Sequence, residues 1–129
     1  MDGVGAFRYG GRWNSKGTYA VYTASSIALA RAELARHINL ECIPDNFRIY
    51  EIEIPDDEYP SIEKLLPDHD ADDQILYLQQ LGDQYLRNKE VLAFRVPSVC
   101  DYKSFNYILN PASFAYHKIK IIDDYPFVK

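Results

Sequence analysis

Tyr9-Gly10-Gly11-Arg12-Trp13-Asn14-Ser15-Lys16-Gly17 leads into the apolar run Tyr19–Thr23, then Ser25-Ser26, then an alanine-rich segment to Leu40. The order is glycine-rich turn, strand, cap, helix. Gly10 and Gly11 permit positive φ and close approach of the backbone. Arg12 beside them carries a planar fork of donors suited to a phosphate or carboxylate. Ser25 or Ser26 suits the N-cap of a helix predicted from about Ser26 to Leu40. Ile27, Ala30, Leu34 and Ile38 recur at helical spacing and predict a buried stripe. Glu33 and His37 lie one turn apart beside it. Taken singly, each signal has an ordinary reading: a turn with a snorkelling arginine, and a solvated helix pair.

The composition bounds the rest. At 129 residues and 47% apolar content, the chain has enough material for one folded core. Eleven tyrosines suit half-wet strands and pockets, where the ring packs and the hydroxyl finds a partner. A net charge of −5 offers no electrostatic footprint for DNA or RNA. An anionic small molecule needs a local basic site, which Arg8, Arg12 and Lys16 supply. Cys42 and Cys100 stand far apart in no metal-like spacing, so free thiols are expected, with no disulfide framework and no metal. No apolar run is long enough to span a bilayer, and no signal-peptide pattern opens the chain. The expectation is a cytoplasmic protein without membrane or direct nucleic-acid partners.

Along the chain, Met1 to Gly11 reads as loop leading into an extended segment. Pro44-Asp45-Asn46 marks a turn. Arg48–Ile54 alternates, with Tyr50, Ile52 and Ile54 on the predicted buried side and Glu51 and Glu53 on the solvated side. Residues 55–73 are acidic and proline-punctuated, with a short helix predicted over Ser61–Leu66. Asp68-His69-Asp70-Ala71-Asp72-Asp73 lacks the glycine and distal glutamate of a calcium loop and reads as a turn capping the next helix. That helix, Gln74 to Arg87, carries Ile75, Leu78, Leu81 and Tyr85 on one face, with Gly82 expected to split it. Val91–Val96 is a buried strand ending at Pro97. Ser98 follows without a Gly-x-Ser-x-Gly elbow, which excludes a hydrolase triad of that kind. Asn106 and Asn110 flank Tyr107-Ile108-Leu109. Lys118–Ile122 and Tyr125–Val128 are the last predicted strands. Short strands and a few helices in mixed order make the fold class α+β. The glycine-rich loop is neither a Walker loop nor a Rossmann fingerprint, because no Gly-Lys-Ser/Thr follows at the right distance and no helix opens directly from it.

Together these segments resemble a known family. Gly10 to Thr18, Val21-Tyr22-Thr23-Ala24, Ala28-Leu29-Ala30 and Ala32-Glu33 with His37 look like the opening signature of the RES domain, named for an arginine, a glutamate and a serine. Val96-Pro97-Ser98 and Asn106 to Pro111 resemble its closing signature. Gly82-Asp83-Gln84-Tyr85-Leu86 resembles the segment that precedes Val-Pro-Ser. The resemblance covers nearly the whole chain, so residues 1–129 are expected to be a single RES domain. Two departures stand out. Relatives carry a strand before the segment represented here by Gly3-Val4-Gly5-Ala6, and they run slightly beyond the position of Lys129.

The resemblance implies a compact ADP-ribosyltransferase-like domain with a split, curved, mostly antiparallel sheet around an NAD cleft. It implies a bacterial toxin that depletes NAD, its substrate, by cleaving the nicotinamide–ribose bond through hydrolysis or phosphorolysis, with inorganic phosphate as the second reactant in the latter. The implied partner is an Xre-like helix-turn-helix antitoxin. Alternatives are a protein ADP-ribosyltransferase and a degenerate domain that only binds antitoxin. By the same resemblance, Arg12 anchors the diphosphate or the adjacent ribose, Tyr22 stacks on nicotinamide, and Trp13 is a further cofactor-binding residue. Glu33 stabilises the ribosyl cation, and His37 supports Glu33 or contacts phosphate. Ser98 bonds the ligand or the Arg12 loop, and Asn106 stands behind them.

Overall fold

The computed structural model describes residues 1–63, 72–101 and 103–128. Its elements are helices α1 (Val4–Tyr9), α2 (Ile27–Ala35) and α3 (Asp72–Leu86), and strands β1 (Val21–Ala24), β2 (Arg48–Glu53), β3 (Ala93–Pro97), β4 (Phe105–Leu109) and β5 (Lys120–Pro126). The sheet is split, as the resemblance implies. One half is β1-β4-β3 and the other β2-β5, with every strand pairing antiparallel. A parallel bridge from Ser61 to Arg95 extends the outer edge of β3.

The main core lies where α3 packs on the three-stranded half. Trp13, Ala20, Leu78, Leu86, Phe94, Val96 and Ile108 form it, each no more than 2% exposed. α3 offers Leu78 and Leu86 inward, with Leu81 and Tyr85 half-buried against the same cluster. Tyr85 tilts onto Phe94 at 4.9 Å between ring centroids. A second cluster, Leu92, Ala93, Leu109 and Ile119, links the same sheet to Ile52 and Ile54 around β2.

Asn110 locks the turn after β4. It is fully buried, and its Nδ2 donates to the carbonyls of Val91 (2.8 Å) and Asn88 (3.0 Å), while its Oδ1 accepts from the Ala112 amide (3.1 Å). Asn110→Ala orphans these buried groups at once. The expected loss is about 3 kcal/mol of stability, read as a lowered urea midpoint with an unchanged m-value.

Several sequence expectations are corrected. The glycine-rich start is helical over Val4–Tyr9, because the turn it packs on supplies bonds that glycine propensity does not: Gly17 N–H reaches Phe7 O at 2.8 Å and Asn14 Nδ2 reaches Ala6 O at 2.9 Å. α2 stops at Ala35, ahead of the expected Leu40, where Asn39 instead caps a 3-10 turn over Leu40–Cys42. α3 runs unbroken through Gly82. The two last expected strands are one, β5, whose Asp123-Asp124 pair with Glu51 and Tyr50. A bulge there leaves Ile122 of β5 as the extra residue, and Tyr50, expected on the buried side of β2, is 54% exposed. The helix expected over Ser61–Leu66 is bridge and irregular chain at 61–63, and its remainder lies outside the described residues, as does the 68–71 part of the acidic turn.

Candidate active site

A cleft of about 1650 Å³ opens between the two halves of the sheet, walled by α2, β1, β2 and the loop that follows α1. It is larger than the 300–1,000 Å³ usual for a drug-sized ligand, roughly, and leaves room for a dinucleotide. Arg12, Trp13, Tyr22, Glu33, His37 and Asn106 all contribute to its walls. The apolar stripe on α2 belongs to this cleft and not to the core: Ile27, Ala30 and Leu34 line it, and Ile27 is 45% exposed. The one buried residue of α2 is Leu29. Ser26 caps the helix through the Leu29 amide, at 3.1 Å.

Glu33 sits on α2 with its side chain held from the neighbouring sheet. Ser98, at the end of β3, donates its hydroxyl to Glu33 Oε1 at 2.7 Å. Asn106, on β4, donates Nδ2 to the same oxygen at 3.0 Å. Both donors converge on Oε1, and neither engages Oε2. Ser98 is 4% exposed, and its Oγ accepts the amides of Cys100 (3.0 Å) and Asp101 (3.2 Å). The turn between β3 and β4 thus fixes the serine, and the serine fixes the carboxylate. The carboxylate also dictates which way the Asn106 amide points, since only Nδ2 can donate to it. Asn106 Oδ1 is then buried with no hydrogen-bond partner among the described residues. Burial and the adjacent Glu33 carboxylate push the Cys100 thiol up, against the opposing charges of Arg36 and Arg12. Cys100 therefore stays a neutral thiol at the edge of the site. Ser98→Ala removes one donor to Glu33 and one acceptor for two amides. It is expected to cost about 2 kcal/mol, measured by chemical denaturation.

The Arg12 loop is held on two sides. From α3, Gln79 Nε2 donates to Gly11 O at 2.9 Å, and Asp83 accepts the Ser15 amide at 3.0 Å and the Ser15 hydroxyl. Asp83 also pairs with Arg87 at 3.5 Å. From β1, the Tyr22 hydroxyl accepts the Trp13 amide at 2.9 Å and donates to Asn14 Oδ1 at 2.7 Å. Tyr22 is 43% exposed as a residue, yet its hydroxyl is sunk in the loop. That burial pushes the phenol well above its ordinary range, with the Trp13 amide and the Arg12 charge opposing. Tyr22 keeps its proton at neutral pH, so it offers the cleft a ring and no acid or base.

Trp13 is 2% exposed and belongs to the main core, so its part in the cleft is a wall and an anchor for the loop. His37 is exposed and lies past the end of α2, with its amide on Leu34 O at 3.0 Å. The structure records no bond from it to Glu33. Arg36, at the C-cap of α2, also lines the cleft. Arg36 and the supporting roles of Asn14, Gln79 and Asp83 are not among the sequence expectations. Arg36, one residue ahead of the expected His37, was the accessible signal. Asn14 and Asp83 lie in segments that carry the family resemblance, but the supports they and Gln79 provide depend on contacts across 68 residues or on a buried turn. Among the described residues no group of three or more His, Cys, Asp or Glu is placed to hold a metal ion. None of their helices is long and apolar enough to cross a membrane.

The model of the RES domain matches residues 1–129. The chain belongs to the RES domain family. It is 36% identical over 117 residues to the Prs ADP-ribosylating toxin of Sphingobium sp. (strain YBL2), covering 87% of this chain and 73% of that protein. It is 35% identical over 115 residues to Toxin Res of Yersinia enterocolitica, with 84% and 73% covered. The fold is similar to that of a chain in the M. tuberculosis MbcT–MbcA toxin–antitoxin complex, with a TM-score of 0.74, 18% identity and coverage of 99% of this chain and 77% of that one. Arg12, Glu33 and Ser98 are the three residues that the resemblance offered as the family's namesakes. Glu33 and Ser98 are in direct contact, and Arg12 stands in the wall of the same cleft.

Proposed function

We propose that this RES domain is a bacterial toxin that depletes NAD by breaking the bond between nicotinamide and ribose. The observation that carries the reading is the Glu33 carboxylate, fixed by Ser98 and Asn106 through one oxygen in a cleft that also holds Arg12 and Tyr22. Nicotinamide in NAD is already cationic. As its bond to C1′ breaks, the electron pair moves to the ring nitrogen and nicotinamide leaves neutral. No strong general acid is required. Positive charge grows on an oxocarbenium-like ribose. A fixed carboxylate stabilises that charge and can orient the ribose hydroxyls through Oε2. Arg12, helped by Arg36, suits the diphosphate. The Tyr22 ring suits stacking on nicotinamide, and His37 at the rim suits a phosphate contact.

Water or inorganic phosphate then attacks C1′. Hydrolysis gives ADP-ribose and releases a proton, and phosphorolysis gives ADP-ribose phosphate. Both use the same cation stabilisation. The test is NAD consumption by the purified protein with and without phosphate, with products identified by mass. A second reading, transfer of ADP-ribose to a protein, is favoured by the name of the Sphingobium relative. It predicts slow NAD loss by the chain alone and a labelled acceptor protein. An antitoxin of the Xre-like helix-turn-helix type is the expected partner, in keeping with a fold neighbour seen in a toxin–antitoxin complex. A domain that only binds such a partner would leave NAD intact under every condition.

A further inference from the structure

We propose that the Tyr22 hydroxyl and Asn14 form a positioning device that sets the backbone of Arg12, so that Tyr22 serves the diphosphate end of the ligand as well as the ring end. The proposal rests on the reading of the cleft as an NAD site. Arg12 lies between two peptide groups, and both are held. The Gly11 carbonyl on one side accepts from Gln79 Nε2 at 2.9 Å. The Trp13 amide on the other side donates to Tyr22 Oη at 2.9 Å. Fixing both peptides fixes φ and ψ of Arg12, and with them the direction in which its side chain leaves the loop.

The hydroxyl is in turn held by Asn14. It donates to Asn14 Oδ1 at 2.7 Å. Asn14 is 0% exposed, and its Nδ2 faces the carbonyls of Ala6 (2.9 Å), Thr18 (3.0 Å) and Ser15 (3.2 Å). The Asn14 carbonyl closes the turn on the Gly11 amide at 3.0 Å. Gly11 completes the device by what it lacks: a Cβ there would stand 2.6 Å from Tyr22 Oη and 3.0 Å from Asn14 Oδ1. The hydroxyl therefore has both its accepting and donating capacity committed to the loop, which a stacking role alone would not require. A phenylalanine would keep the ring and lose the device.

The decisive comparison uses Tyr22→Phe and Gly11→Ala in the full chain. ADP-ribose reports on the Arg12 end and nicotinamide on the ring end, both measured by calorimetry. Exchange of the Trp13 backbone amide, read by NMR, reports on the anchor itself. Tyr22→Phe should weaken ADP-ribose roughly tenfold, leave nicotinamide within a factor of about two, and speed exchange of the Trp13 amide; Gly11→Ala, whose Cβ would also meet Tyr22 Cζ at 2.9 Å, should weaken ADP-ribose and speed the same exchange. General destabilisation would not separate the two ligands. Equal weakening of both, no change in either, or an undisturbed Trp13 amide would overturn the proposal. Wild-type protein that binds no ADP-ribose would sink the NAD reading instead, and the Trp13 amide in the two variants would then decide the positioning claim alone.

Discussion

Glu33→Gln is expected to reduce NAD turnover by about 10²–10³-fold or more while the protein stays folded. The variant is informative because of how the carboxylate is held. Ser98 Oγ and Asn106 Nδ2 both fall on Oε1. Glutamine keeps an oxygen that can accept both bonds, so the local network survives. What it replaces is the other oxygen, Oε2, by a neutral NH₂ group that cannot stabilise a positive ribose and presents donors where acceptors are needed. The loss should appear mainly in kcat, since the interaction strengthens as charge develops. Steady-state NAD consumption followed by mass, beside a thermal melt, checks both halves. Wild-type turnover by a folded Glu33→Gln protein would remove Glu33 from the chemistry.

Gly82→Ala is expected to be the most destabilising single-methyl change in the described chain. A Cβ at Gly82 would lie 1.8 Å from the Trp13 carbonyl oxygen and 2.7 Å from its carbonyl carbon. Both are backbone atoms, so no rotamer change relieves the overlap. Either α3 or the Arg12 loop must move, and each is tied to the other by Gln79 and Asp83. Alanine ordinarily favours a helix over glycine by about 1 kcal/mol. Here the steric term opposes that gain, and a net cost of roughly 3 kcal/mol is expected, or about 10 °C in Tm. Because the displaced segment carries Arg12, NAD turnover should fall further than the loss of folded protein explains. A melt and a turnover assay on the same sample separate the two. An unchanged Tm would mean that the helix and loop approach less closely than 1.8 Å implies.

This contact also shows where the sequence stops being legible. An isolated glycine within a helical pattern ordinarily signals a break, and Gly82 read that way. Its cause is a backbone 69 residues earlier in the chain, which no local pattern records. The same holds for α2. Ile27, Ala30 and Leu34 at helical spacing announce an apolar face but not what it faces. Here the face opens on a cleft, and Leu29 does the burying. The bulge that leaves Ile122 unpaired between β2 and β5 is likewise a register matter that neither strand specifies alone.

What the sequence determined by itself was the local part. Short-range chemistry was enough for the α+β class, for β2 and β3, for the body of α3, and for a serine cap on α2 at Ser25 or Ser26. An ordered set of motifs was enough to point to the RES family. Arg12, Tyr22, Glu33, Ser98 and Asn106 could be named because they sit in those motifs. Only the tertiary structure decided how they are arranged. It brought Ser98 and Asn106 onto one oxygen of Glu33 across 65 and 73 residues. It buried Trp13 as core, and it sank the Tyr22 hydroxyl into the loop that carries Arg12. The reason is physical. Helix caps and strand periods arise from neighbours along the chain, whereas the second hydrogen bond of a carboxylate or hydroxyl depends on which distant segment packing brings within 3 Å or so.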